Sequence, residues 1–242
     1  MRILAVDTAT KSCSVAIVEK ESVIAEATLF VEQTHSKHLM EMIDTVLNLS
    51  GLTVSELDGF AVTRGPGSFT GLRIGISSIK GFAMASGKPV VGVSSLDSLA
   101  MQCSFSSYLV SPLLDARKGE VYFSRYRFKN GHLKKEVREQ AITPVEAVCD
   151  INESCLFVGD AVKNYQNKIK DEIGDLAHFA PPYQNTIRAS TVGHLSMAKF
   201  EINDTDDNSL FTPHYIRKSL AELNLCNSLA TKAQRPKEEK EI

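Results

Sequence analysis

Three things are scarce in this 242-residue sequence: net charge, long apolar runs and paired cysteines. Lys and Arg number 27 against 29 Asp and Glu, a formal charge of -2. No field of that size draws in a polyanion, so autonomous nucleic-acid binding is not suggested and any such role needs a partner. The apolar stretches fall short of the roughly 18 to 20 residues that cross a bilayer. The opening MRILAVD reaches a carboxylate too soon for a signal peptide. A cytoplasmic protein with no membrane contact is the expectation. Cys13, Cys103, Cys149, Cys155 and Cys226 form no CxxC pair and no zinc spacing. Their odd number predicts reduced, mostly buried thiols, with neither disulfide nor zinc.

What is present is a pattern that occurs twice. ILAVD (3–7) predicts a strand ending in an acid, SVAIV (14–18) a return strand, and SVIAEATLFVE (22–32) a third. HSKHLMEMIDTVLNLSG has helical period and a terminal glycine; GFAVT (59–63) is a fourth strand, 68–86 a second helix, PVVGV (89–93) a fifth strand and SLDSLAMQC a third helix. The order restarts at LVSPLLD (109–115), followed by ARKGE, VYFSRYRF and a strand near 135–143. A short helix after Pro144, the strand CLFVG (155–159), the helix YQNKIKDEI, the strand LAHFA and the helix STVGHLSMAKF complete it. This predicts an α/β chain of the duplicated actin-like (ASKHA, RNase H-like) type, two lobes each βββαβαβα, with any ligand between them. The lobes are expected at 1–106 and 107–220, the last helix being a candidate to pack back on the first lobe, and 228–242 as a disordered tail.

The segment TRGPGSFTGLRIGIS (63–77) concentrates glycine at a helix start. Glycines let backbone N–H groups converge on an anion. Yet Gly71 is followed by Leu72 and Arg73 rather than Lys and Ser or Thr, and Gly65, Gly67 and Gly71 are spaced one residue too long for GxGxxG. The favoured reading is a strand-to-helix turn, with Ser68 or Thr70 as cap and Pro66 stiffening the loop. After the first strand, Asp7, Thr8, Ala9 and Thr10 lack the glycine with which actin-like nucleotidases grip phosphate. Asp7 and Asp115 are candidates for holding a metal-bound water, or else turn-forming carboxylates. His35 and His38 lack a third ligand. Ser94 and Asp97 read as a capping pair rather than a nucleophile elbow. No catalytic, cofactor-binding or metal-binding residue is assigned.

Two helices have more covered surface than one core requires. On 36–50, Leu39, Ile43 and Val46 centre the apolar face, with Met42 and Leu49 on one flank and Met40 and Leu47 on the other. One core needs only somewhat more than 100° of arc, and methionines on a spare flank suit a surface that repacks. On the next helix Leu72, Ile76, Ile79 and Ala83 form the core face, and Arg73 and Lys80 are the only charges. The other side reads Ile74, Ser77, Ser78, Gly81 and Ala85, where a solvated face would carry charges. Small residues permit close helix approach. Met42, Leu49, Ile74, Ser77, Ser78, Gly81 and Ala85 are therefore the expected partner interface.

GPGSFTGLRIG, PVVGVSSLDSLA, LLDARKGEVY and PHYIR (213–217), in that order, give the chain a resemblance to the TsaB (YeaZ) family from residue 3 to about 218. The resemblance implies a non-catalytic partner of the paralogue TsaD, working with the ATPase TsaE to make threonylcarbamoyladenosine next to the tRNA anticodon. It implies a homodimer when alone, ATP used by the complex rather than by the isolated subunit, and tRNA met only through the complex. An HxxxH metal pair of the catalytic paralogue falls at Ser95 and Leu99, neither able to replace a histidine ligand. Two alternatives stand beside this: a stand-alone actin-like ATP-binding enzyme, and a peptidase, for which no nucleophile triad or ligand set is seen.

Overall fold

The structure, a computed structural model, describes residues 1–20, 22–30 and 35–217. The expected tail 228–242, Cys226 and the last two residues of the 22–32 strand lie outside the described residues. Strand β1 (Arg2–Asp7) pairs antiparallel with β2 (Ser12–Glu19), which pairs antiparallel with β3 (Ser22–Phe30). Helix α1 (His35–Ser50) leads to β4 (Gly59–Gly65), parallel to β1. Helix α2 (Phe69–Ser86) leads to β5 (Val90–Ser94), parallel to β4, and α3 (Ser95–Met101) closes the repeat. The sheet order is β3-β2-β1-β4-β5.

The second repeat rebuilds the same sheet. Strands β6 (Leu109–Arg117), β7 (Glu120–Lys129) and β8 (His132–Ile142) form the antiparallel part. Strand β9 (Cys155–Val158), α4 (Val162–Ile173), β10 (Ala177–Phe179) and α5 (Ala189–Glu201) follow. The order β8-β7-β6-β9-β10 matches the first sheet strand for strand, and the chain is a two-lobed actin-like α/β fold.

One element departs from the pattern: 144–150 is a run of turns, not a helix. Its start is helix-like, because Thr143 and Glu146 cap one another, Thr143 N donating to Glu146 Oε2 at 2.8 Å and Glu146 N to Thr143 Oγ1 at 3.3 Å. Beyond Ala147 the bonds tighten to i→i+3, Val148 N to Val145 O and Ile151 N to Val148 O. That geometry seats Ala147, Val148 and Ile151 in the core outside the second sheet.

Alternation assigns the cores. Leu4 and Val6 of β1 face α1 and α2, packing with Ile43, Val46, Ile76 and Ile79. Ile3 and Ala5 face the other way, into a core with Val192 of α5, Leu96 of α3 and Val110 and Leu114 of β6. Both faces of the strand are buried, hence its unbroken apolar run. Helix α3 packs on β6, β7 and β8 of the second sheet, while α5 packs on β1, β2, β4 and β5 of the first. Each repeat thus ends in a helix laid against the other lobe.

Candidate functional site: the strand-end carboxylates, the glycine turn and the exposed side of α2

The strand-end carboxylates behave alike in the two repeats. Asp7 Oδ1 accepts from Ala9 N at 3.1 Å, and Asp115 Oδ1 from Arg117 N at 2.8 Å. Both are turn-forming acids bonding the backbone two residues on. Asp7 also accepts from Thr63 Oγ1 at 2.8 Å, but its Oδ2 is buried without a partner among the described residues. Burial pushes the Asp7 carboxyl up to about 7, against the lowering effect of Thr63 and Ala9, and nearby Asp160 adds to the rise. Asp160, raised mainly by its own burial, accepts from Asp115 N at 3.0 Å.

The glycine turn lies against the β1–β2 hairpin. Ser68 N donates to Ala9 O at 2.7 Å and Thr8 Oγ1 to Gly71 O at 2.8 Å. A Cβ at Gly67 would collide with Ala9 O, one at Gly71 with Thr8 O and one at Gly75 with Thr8 Oγ1. The glycines let two backbones touch, so the turn occupies the hairpin rather than leaving its N–H groups to converge on an anion. Ser68 caps α2, its Oγ accepting from Gly71 N at 3.2 Å, and Gly87 ends the helix at φ 70.

Ser94 caps α3, accepting from Asp97 N at 3.3 Å, and its hydroxyl donates to Glu139 Oε1 at 2.5 Å. Asp97 accepts from Tyr126 Oη at 2.6 Å and pairs with Lys135 at 2.8 Å. This capping pair therefore also ties α3 to β7 and β8, which its spacing does not reveal. Ser95 and Leu99 are fully buried. His38 pairs with Glu41 at 3.7 Å, and among the described residues no three His, Cys, Asp or Glu are grouped to hold a metal ion. Cys13, Cys103 and Cys155 are buried, unpaired thiols pushed up to about 12, 11 and 12 by burial; Cys149 is exposed.

The expected interface residues divide. On α2, Ser77, Gly81 and Ala85 are exposed, and Ile74 and Ser78 half-buried. A Cβ at Gly81 would meet nothing within 4 Å. On α1, Leu49 is 72% exposed, but Met42 is 8% exposed and belongs to the core beneath the helix. Met42 is thus corrected from surface to core: it packs in one cluster with Leu39, Ile43 and Val46 of its own helix and Val15 and Ile17 of β2. Met84, 74% exposed, was missed, although it lies seven residues after Ser77 on the same side. Arg73 and Lys80 are drawn off that side: Arg73 Nε donates to Tyr215 Oη at 3.0 Å, and Lys80 Nζ to Phe211 O at 3.1 Å.

Comparison with known proteins decides the family. A family model described as TsaD, tRNA N6-adenosine threonylcarbamoyltransferase, matches residues 29–225. The tRNA threonylcarbamoyladenosine biosynthesis protein TsaB of Bacillus subtilis is 31% identical over 92% of this chain and 96% of its own length. The chain belongs to the TsaB family. YeaZ from Pseudomonas aeruginosa is 25% identical, with a TM-score of 0.78 over 88% of this chain and 99% of that one. Component A of (R)-2-hydroxyglutaryl-CoA dehydratase from Acidaminococcus fermentans shares the fold at 12% identity, with a TM-score of 0.51 over 82% of this chain and 100% of that one. Among the described residues of this TsaB-family chain, no helix is long and apolar enough to cross a membrane.

Proposed function

We propose that this chain acts in tRNA threonylcarbamoyladenosine biosynthesis as a non-catalytic subunit. It binds a TsaD-type catalytic paralogue and a TsaE-type ATPase, and the assembly transfers a threonylcarbamoyl group to N6 of the adenosine next to the anticodon. Alone it forms a homodimer in the cytoplasm; it carries no cofactor, ATP is used by the complex, and tRNA is met only there. The observation that carries this reading is the uncharged outer side of α2, where Ser77, Gly81 and Ala85 are exposed with open space above Gly81. A surface that low admits a second helix close to the backbone. Two features add support: the glycine turn fills the hairpin that would grip phosphate, and Ser95 and Leu99, which the resemblance sets against the metal-binding histidines of the catalytic paralogue, are fully buried.

Gly81→Arg tests it. The new side chain enters open space and leaves the lobe intact, and it should abolish co-purification with the TsaD-type paralogue while the melting curve is retained. Normal co-purification of the folded variant would refute the interface. The second reading, a stand-alone actin-like ATP-binding enzyme, draws on the Asp7 Oδ2, buried without a partner among the described residues. Calorimetric titration with ATP and magnesium separates the two: submicromolar binding with hydrolysis by the pure chain would replace the first.

A further inference from the structure

An open sheet has two edges, and each edge strand offers unpaired N–H and C=O groups to any other strand. The two sheets of this fold end on β3 and β5, and on β8 and β10. Three of these edges are guarded, each by a different means. Strand β5 is covered: Val90 bridges Asp206, whose N donates to Val90 O at 2.9 Å and whose Oδ2 accepts from Gly92 N at 2.7 Å. Strand β8 is charged, with Lys134, Lys135, Glu136, Arg138 and Glu139 along its length. Strand β10 is short, at three residues. Cover, charge and shortness all oppose edge-to-edge pairing.

Strand β3, which holds in the first repeat the place of β8 in the second, has none of the three. It is nine residues long, and among the described residues only β2 pairs with it. Phe30 is 65% exposed, and Val23, Ile24 and Leu29 are exposed with it. The one charge of the strand is Glu26, whose side chain is 8% exposed and turned to α5: Oε1 accepts from Ser190 N at 2.9 Å and from Ser190 Oγ at 2.7 Å, and Oε2 from Arg188 Nε at 3.0 Å. Ala25 and Ala27 point the other way, onto the core beneath α1. A β-bulge at Ile24 leaves 25–30 in unbroken register with β2. Both faces of the strand are thus held, and its outer edge is free among the described residues.

We infer that β3 is an interaction edge whose occupant is the β3 of a second copy, paired antiparallel about a two-fold axis at Ala27. A strand that faces its own copy must not set a charge against itself, because like charges directly opposite are destabilising. With the axis at Ala27, Ala25 lies opposite Leu29 and Glu26 opposite Thr28, and Ile24 and Phe30 close the two ends. An axis at Glu26 would oppose two carboxylates and is disfavoured. The contact is isologous, so it closes on itself, and it joins the five-stranded first sheets of two copies into one. Helix α2 packs on β4, β1 and β5. The edge is therefore a second surface, separate from the outer side of α2, and pairing there leaves α2 open.

Analytical ultracentrifugation of the full chain carrying Gly81→Arg tests the edge apart from α2. That variant should still self-associate as its concentration rises, and amide exchange at 25–29 should slow as the dimer fills. Phe30→Lys and Leu29→Lys, each added to Gly81→Arg, should weaken the dimer about tenfold with the melting curve retained, because the two-fold axis counts every lost cross-strand contact twice. Met84→Lys, on α2, should leave it unchanged. A Gly81→Arg chain that stays monomeric at every concentration would overturn the pairing, as would a dimer that neither lysine weakens. Loss of paralogue binding in Phe30→Lys with self-association unchanged would also overturn it, by giving the edge to a partner's strand. A Gly81→Arg chain that keeps the paralogue yet loses its dimer with Phe30→Lys would refute the α2 interface and support the edge.

Discussion

Replacing Asp7 by Asn should remove a pH dependence that the fold imposes on this chain. In the folded protein burial lifts the Asp7 carboxyl from its ordinary 3.8 to about 7. Below about pH 4 the group is protonated whether the chain is folded or not, and the stabilisation is fully present. Between about 4 and 7 the unfolded chain gives up the proton while the folded chain keeps it, so stability falls as pH rises. The slope is about 1.4 kcal/mol per pH unit and flattens as the folded group begins to titrate near 7, which makes roughly 2 kcal/mol between pH 5 and pH 7. Asn has almost the same shape and cannot ionise. Its amide leaves one buried polar atom unpaired, as Oδ2 is now, but that cost does not vary with pH and cancels from the slope. Urea denaturation followed by circular dichroism at pH 5, 6, 7 and 8 gives both profiles. The difference between unaltered chain and variant should change by about 2 kcal/mol in the variant's favour from pH 5 to 7, then level off. Parallel profiles would refute the placement of a protonated, fully buried Asp7.

Two glycines of α2 should respond oppositely to alanine. Gly71→Ala drives a methyl into Thr8 O and should destabilise by at least the 1 to 3 kcal/mol typical of overpacking, whereas Gly81→Ala, in open space, should stabilise by about 0.5 to 1 kcal/mol through helix propensity alone; equal urea midpoints would show that the turn is not packed on the hairpin. Tyr126→Phe removes a hydroxyl that donates to the Asp97 carboxylate between the lobes and should cost about 1.5 to 3 kcal/mol; a change below 0.5 kcal/mol in the same assay would mean that water serves Asp97 equally well.

How far the sequence carried depended on the range of the interactions concerned. The strands β1 and β2 were legible because both faces of each are buried, and a residue buried on both sides of a sheet leaves an unbroken apolar run. The caps at Ser68 and Ser94 were legible because a cap acts over three residues. The segment after Pro144 misled because its capping pair, Thr143 with Glu146, is real while the helix it announces is not continued. Local signals start an element; tertiary packing decides whether it propagates.

The helical wheels show the limit more sharply. A wheel measures how wide an apolar arc is, not what lies against it. On α1 the apolar arc is wider than the buried one: the core takes Met42 and leaves Leu49 and Met40 outside. On α2 nothing in the spacing assigns a partner to either charge, yet Arg73 bonds Tyr215 across 142 positions and Lys80 bonds Phe211 across 131. No spacing rule links such positions, because helical and strand periods describe neighbours within one element. The consequence is functional. By hydrogen-bonding Arg73 and Lys80, the segment 206–217 fixes where the two charges of α2 sit, beside the uncharged Ser77, Gly81, Met84 and Ala85. The outer side of α2 is therefore partly made by residues more than a hundred positions away, and a substitution in that segment, such as Phe211→Ala, can alter docking on α2 without touching it.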